Sequence, residues 1–242
     1  MSNVAVITGA AQGIGRRTAQ VLNEQGWSLL LLDLQPIDAS EYASALALAG
    51  DISDEQFIES AATQCMDKFG RVDALVNNAG ISVGSSVFAD DDEFSLAWDN
   101  TLAVNVSAQA HFIRLVVPHM RSAEIAGRII NIASTEAIVA TPGLAAYTAA
   151  KHGVVGLTKS MATQLGRYGI TVNAVCPGPI NTNMTADIPT DAKAKYAHRK
   201  VPLKRYGEPE EVAHMTLNLA MPASSFVNGA VVVVDGGMTI QH

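Results

Sequence analysis

Short apolar runs alternate with stretches of helical periodicity from one end of the chain to the other. The runs Asn3–Thr8, Ser28–Asp33, Leu46–Ala49, Ala74–Asn77, Arg128–Ala133, Thr171–Cys176 and Ala230–Asp235 are rich in β-branched residues and leucine. They lack the strict apolar–polar alternation of a one-faced strand, which predicts strands buried on both sides. Between them, helical patterns run from Ile14 to Gln25, stopping at Gly26, and from Asp54 to Phe69, stopping at Gly70, with Ser53 placed as a cap. A long one covers roughly Glu93–Ser122, opened by the acidic run Asp90–Glu93 that suits a helix N-terminus. Another covers Ala146–Arg167 and ends near Gly169, and a last one starts at Glu210 after Pro209. The stretch between Asp33 and Leu46 is too short and broken for a full helix. Strands and helices in alternation predict stacked βαβ units, hence an α/β fold around a parallel sheet. One segment breaks the rhythm. Gly178–Gly207 has prolines at both ends and a polar middle, and long irregular stretches in compact domains are usually functional lids.

The first strand runs into Thr8-Gly9-Ala10-Ala11-Gln12-Gly13-Ile14-Gly15 and then a helix. Glycines let the backbone turn tightly and approach a ligand, and a helix N-terminus offers unpaired N–H groups to a pyrophosphate. The spacing is Gly-x3-Gly-x-Gly rather than GxGxxG, but it sits in the strand–turn–helix context that a dinucleotide site requires. Asp33 ends the second strand, 18 positions after Gly15. A carboxylate there is placed to accept hydrogen bonds from an adenosine ribose and to repel a 2′-phosphate. No base stands beside it, since Leu34 follows, so NAD is expected over NADP.

Tyr147 and Lys151 lie four apart in a helical pattern, on one face and one turn apart. A free tyrosine titrates near pH 10, too high for a base at neutral pH, and a close ammonium stabilises its phenolate. Ser134 lies just past a strand end, where such sheets place their ligands, and its hydroxyl can donate to a substrate oxygen. Asn105 is an amide among apolar neighbours, so it either satisfies local backbone or holds a water linking Lys151 to solvent.

Together these pieces resemble the short-chain dehydrogenase/reductase family along nearly the whole chain. The resemblance rests on the Thr8–Gly15 loop, Asn77-Asn78-Ala79-Gly80, Asn105, Ser134 thirteen positions before Tyr147, Lys151, and Pro177-Gly178 followed by Thr182. It also rests on Arg205-Tyr206-Gly207-Glu208-Pro209-Glu210-Glu211 and the closing Val234-Asp235-Gly236-Gly237. It implies a Rossmann-like doubly wound sheet of seven parallel strands, one domain over 1–242, with 178–208 as its substrate lid. It implies catalysis by Ser134, Tyr147, Lys151 and Asn105. For the cofactor it implies Gly9, Gln12, Gly13, Ile14 and Gly15 around the phosphates and Asp33 at the ribose. Asp51 and Ile52 would meet the adenine. Asn78, Ala79, Gly80, Tyr147, Lys151, Pro177 and Gly178 would line the ribose and nicotinamide side, and Ile180 and Thr182 would hold the carboxamide. Asn77 would brace the sheet. Family members of this length are usually tetramers, with the 93–122 helix and the Tyr147 helix in one interface and the C-terminal strand in another.

Composition narrows the partners. The net charge is -7, which disfavours nucleic acid and anionic membrane. No apolar run is long enough to span a bilayer, the start of the chain lacks signal-peptide features, and the two cysteines, Cys65 and Cys176, read as core residues of a cytoplasmic protein. No metal motif is present. Within 182–206 stand Lys193, Lys195, His198, Arg199, Lys200, Lys204 and Arg205, including six of the sixteen Lys and Arg. They serve either to attract an anionic substrate or as a solvated helix face. His152 is adjacent to Lys151 and is expected to point elsewhere. The reading is an NAD-dependent oxidoreductase acting on a secondary alcohol: a polyol, sugar or other hydroxy compound. Its rivals are a 3-oxoacyl-carrier-protein reductase and a non-catalytic NAD sensor.

Overall fold

A computed structural model describes residues 2–241; Met1 and His242, the ends of the expected domain, lie outside the described residues. Seven parallel strands form one sheet: β1 (Val4–Thr8), β2 (Ser28–Asp33), β3 (Ala45–Ala49), β4 (Ala74–Asn77), β5 (Arg128–Ile132), β6 (Thr171–Pro177) and β7 (Val231–Val234). Their order across the sheet is β3-β2-β1-β4-β5-β6-β7, so the winding reverses between β1 and β4. A crevice opens at that reversal, beyond the carboxyl ends of the strands.

Period-two geometry explains why the runs are apolar throughout. Val4 and Val6 of β1 join Leu30, Leu32, Leu75 and Ile129 in one core cluster, while Ala5 and Ile7 join Leu29, Leu31, Val76 and Ile130 in another. The first cluster is closed by helices α2 (Glu55–Phe69), α4 (Ala108–Ser122) and α5 (Ala145–Leu165), through Ile58, Phe112, Met120 and Leu165. The second is closed by α1 (Gly13–Glu24) and α7 (Pro209–Ala220), through Leu22, Val212 and Leu219. The five inner strands bury both rows of side chains because helices cover both faces, while the edge strands β3 and β7 are only partly buried.

Several boundaries differ from the sequence pattern. The cap of α2 is Asp54, whose carboxylate accepts the Gln56 N–H at 2.9 Å; Ser53 instead donates to Asp51. The expected single helix over 93–122 is two, α3 (Asp91–Leu102) and α4, joined by a π-helical turn at Ala103–Ser107. Asp90 caps α3 by accepting the Glu93 N–H, as the acidic run predicted. Gly70 ends α2 in the left-handed region at φ 72°. The 178–207 stretch is more regular than its composition suggests, holding a short 3-10 turn at Asn183–Thr185 and helix α6 (Thr190–Lys200). Cys65 and Cys176 are both buried and unpaired.

Candidate active site

The crevice is a cavity of about 570 Å³. At one end stand Gly9, Gln12, Gly13 and Ile14 of the first loop, Asp33 at the end of β2, and Asp51 and Ile52 after β3. Asn78, Ala79 and Gly80 after β4 form its middle. Ser134, Tyr147, Lys151, Pro177, Gly178, Ile180 and Thr182 complete it. Seventeen positions expected from the sequence therefore line one space, although they come from seven separate segments. Gly15 and Asn105 do not line it. Both act from behind the wall.

A Cβ on Gly15 would sit 2.0 Å from the Gly9 carbonyl oxygen and 2.5 Å from Asn78 Nδ2. Here glycine is required by close packing of helix on loop. Gly15→Ala is expected to lose about 1–3 kcal/mol of stability through overpacking, measured by denaturant unfolding, and to weaken nucleotide binding. Gly9 is held at φ +66°, and a Cβ there would strike Ala79. Thr8 Oγ1 accepts the N–H groups of Asn78 and Ala79, while Asn78 Nδ2 donates to the Thr8 and Gly9 carbonyls. Two loops from neighbouring strands are thus fixed to each other. Asn77 donates to Asn131 Oδ1 at 2.8 Å across β4 and β5, bracing the sheet.

The first turn of α1 has neither a side-chain cap from Gln12 nor an acidic residue. Its N-terminal partial charge is left for an anion in the cavity. Asp33, half-buried at the far end, accepts the Ala11 N–H at 3.0 Å and the Gln35 N–H at 2.9 Å. Each oxygen keeps a lone pair for a ribose hydroxyl. The cradle, the uncapped helix and the carboxylate fit a dinucleotide.

At the other end Tyr147 and Lys151 are 9% and 3% exposed, with Lys151 Nζ 5.5 Å from the Tyr147 ring centroid. Burial pushes the Tyr147 phenol up, the Ser134 hydroxyl pulls it back, and Glu136 adds to the rise. Burial lowers Lys151 from 10.5 to about 8, with Cys176 opposing. Its Nζ donates to the Ile132 carbonyl at 2.9 Å. Because the folded value lies below the unfolded one, the unfolded chain binds the extra proton between about pH 8 and 10.5, and the Lys151 contribution to stability rises with pH across that window. The melting temperature of the wild type is expected to gain on that of Lys151→Met over this range.

Asn105 is fully buried in the π-helical turn. Its Nδ2 donates to the Ile81 carbonyl and its Oδ1 accepts the Ile81 N–H, at 2.8 and 2.9 Å. This is the local-backbone alternative anticipated for it. A Cβ on Gly80 would lie 3.2 Å from Asn105 Oδ1 and 3.5 Å from Lys151 Nζ, so Gly80 brings both side chains against one backbone. The role of Ile81 was not foreseen, although it directly follows Asn-Ala-Gly. The lid reaches the phosphate loop through a hydrogen bond from Asn183 to Gln12. Asn183, Met184 and Thr185, also unforeseen, line the cavity.

The basic lid residues do not line it. Lys195 pairs with Asp191, Arg205 with Glu211, and Lys204 donates to the His198 carbonyl. His152 is exposed and bonded to the Thr148 carbonyl. Among the described residues no group of three or more His, Cys, Asp or Glu could hold a metal, and no helix is long and apolar enough to cross a membrane.

Fold and site define an α/β oxidoreductase with its chemistry at the carboxyl end of a parallel sheet. Residues 9–239 match the family model described as "Enoyl-(Acyl carrier protein) reductase". The chain is 36% identical to a 3-oxoacyl-(acyl-carrier-protein) reductase of Thermotoga maritima, over 98% of each chain. It is 38% identical to a cis-4-hydroxycyclohexanecarboxylate dehydrogenase of Sinomonas cyclohexanicum, over 98% of this chain and 96% of that one. The crystal structure of a levodione reductase superposes with a TM-score of 0.90 at 33% identity, covering 99% of this chain and 98% of the other. The chain belongs to the short-chain dehydrogenase/reductase family.

Proposed function

We propose that the protein is an NAD-dependent oxidoreductase that interconverts a secondary alcohol and its ketone. The observation that carries this is one cavity with Asp33 at one end and buried Tyr147 and Lys151 beside Ser134 at the other. Bound NAD supplies a two-electron hydride acceptor, or donor in the reverse direction. In oxidation, Tyr147 takes the proton of the substrate hydroxyl as general base. Ser134 donates to the same oxygen and steadies it as it becomes a carbonyl. Lys151 holds the charge that stabilises the phenolate, and Asn105 fixes the floor beneath it through the Ile81 backbone. Reduction reverses each transfer.

The substrate is uncharged in this reading, because no lid Lys or Arg lines the cavity and Lys151 is the only Lys or Arg among its lining residues. Residues 178–208 form the lid of a single domain, which works as a cytoplasmic homotetramer. A second reading, a biosynthetic 3-oxoacyl-carrier-protein reductase, is favoured by the Thermotoga relative and the matched family description. It is disfavoured by Asp33 facing the cofactor end without a neighbouring base.

Initial rates separate the two, with NAD and NADP against a panel of neutral and anionic secondary alcohols and a 3-oxoacyl thioester. Turnover of neutral alcohols with NAD supports the first reading. Thioester reduction with NADPH alone replaces it with the second. Tight NAD binding with no turnover would favour a sensor.

A further inference from the structure

Ser134 and Tyr147 come from different elements, yet their hydroxyls must share one substrate oxygen. The structure connects them through a residue so far unused. Glu136 lies in the buried 3-10 turn Thr135–Ala137 that directly follows Ser134. Its N–H donates to Ser134 Oγ at 3.1 Å. That bond fills an acceptor position on the serine oxygen and leaves the O–H to donate into the cavity. Its half-buried carboxylate reaches the other way. Oε1 accepts from Thr141 Oγ1 at 2.5 Å. Oε2 accepts the Thr141 N–H at 3.0 Å and Thr148 Oγ1 at 2.7 Å. Thr148 follows Tyr147 in the first turn of α5.

We infer that Glu136 is a positioning residue for the reaction, its main chain orienting the Ser134 hydroxyl while its carboxylate clamps the serine loop to the helix turn that carries Tyr147. The inference deepens the proposed oxidoreductase reading and rests on it for the roles of Ser134 and Tyr147. An ordinary loop brace would need no charge. Glutamine could take the same Thr141 N–H and Thr148 O–H, with its NH₂ turned to the Thr141 hydroxyl. The carboxylate adds an electrostatic effect. Its negative charge acts on both Tyr147 and Tyr196 of the lid, disfavouring each phenolate. The other groups that bear on Tyr147 are the Ser134 hydroxyl on the same loop and Lys151 on α5, with Cys176 of β6 beside that lysine. Glu136 is thus the negative charge acting against the phenolate, and Lys151 the nearby cation.

Three variants of the full chain separate clamp from charge. Tyr147 ionisation is read in the NAD complex as the tyrosinate absorbance difference between each protein and its Tyr147→Phe counterpart. This readout requires no substrate. Turnover is read with the best alcohol of the panel, and melting temperature reports folding. Glu136→Gln is expected to keep kcat within severalfold and to lower the Tyr147 midpoint by roughly half a pH unit, moving the rising limb of alcohol oxidation to lower pH. Thr148→Val keeps the charge and removes a tie, so kcat falls severalfold with the midpoint in place. Glu136→Ala loses both, with kcat down roughly tenfold to a hundredfold, KM for NAD little changed, and the midpoint lowered. Wild-type kcat and midpoint in Glu136→Ala would overturn the inference, as would a change confined to melting temperature. If the wild type turns over no alcohol but the midpoint still moves in Glu136→Gln, the alcohol reading fails while the coupling of Glu136 to Tyr147 stands.

Discussion

Tyr147→Phe is expected to lower turnover by on the order of 10²- to 10⁴-fold while leaving the fold and NAD binding in place. The substitution removes one oxygen from a side chain that is 9% exposed, and the ring keeps its packing. What disappears is the only group at this end of the cavity suited to exchange a proton with a substrate oxygen. Ser134 is a donor whose own ionisation lies far above the working range, and Lys151 is engaged with the Ile132 carbonyl. Initial rates alongside nucleotide binding by fluorescence check the prediction. Near-wild-type turnover would remove Tyr147 from the mechanism and leave Ser134 or a bound water as the acid–base group. Loss of NAD binding together with turnover would instead assign the phenol to the cofactor.

The wild-type pH profile follows from the same environment. Without nucleotide, burial and Glu136 hold the phenol above its ordinary value, with the Ser134 hydroxyl opposing them. In the proposed mechanism alcohol oxidation needs the phenolate, so it should rise with pH through the Tyr147 midpoint. Ketone reduction needs the phenol and should fall through it. The effect of Lys151 is also limited by its own burial. An ammonium lowered to about 8 loses its proton in mildly alkaline solution, and its support for the phenolate goes with it.

Most of the sheet was legible because strands covered on both faces leave a strong signal. Leu29–Leu32 has no polar interruption, is too short for a helix of its own, and is buried in β2. The residues of the cavity were legible for a different reason. Glycines, a strand-end Asp and a Tyr-x3-Lys pair are each weak alone, and their fixed order along the chain made them specific. What escaped is what depends on three dimensions. The π-helical turn at 103–107 breaks no periodicity that a reader can see, since it adds one residue to a turn without changing the residue types. It nonetheless places Asn105 against the Ile81 backbone. Asp54 rather than Ser53 caps α2 because both are good caps, and the choice rests on which side chain Asp51 already engages. Helix α6 was hidden by polarity. Its only buried residue is Ala197, so its apolar stripe is nearly absent from the pattern. The partners of Glu136 lie 5 and 12 positions downstream, one in a loop that the sequence marks only with Pro142 and Gly143 and the other in the first turn of α5.

Asp33 carries the second large prediction. A 2′-phosphate brought to about 4 Å from its carboxylate would meet repulsion of about 4 kcal/mol per unit charge at an effective dielectric near 20, which corresponds to roughly 10³-fold in kcat/KM. The wild type should therefore prefer NAD over NADP by up to that factor. Asp33→Asn removes the charge and keeps an oxygen for the Ala11 or Gln35 N–H, so the loop should hold while most of the preference collapses. It should do so mainly by improving NADP, since a neutral amide can still bond a ribose hydroxyl. Leu34 lines the same end and is 65% exposed, which gives a second position for reversal. The pair Asp33→Asn and Leu34→Arg places a guanidinium where the phosphate would lie, and its preference should invert. Ratios of kcat/KM for the two nucleotides, measured at low and high salt, decide the matter, because a charge effect at this half-exposed site must shrink as salt screens it. A wild type that uses NADP as well as NAD would show that the Asp33 carboxylate is occupied with the Ala11 and Gln35 amides and turned from the ribose. The biosynthetic reductase reading would then gain what the dehydrogenase reading lost.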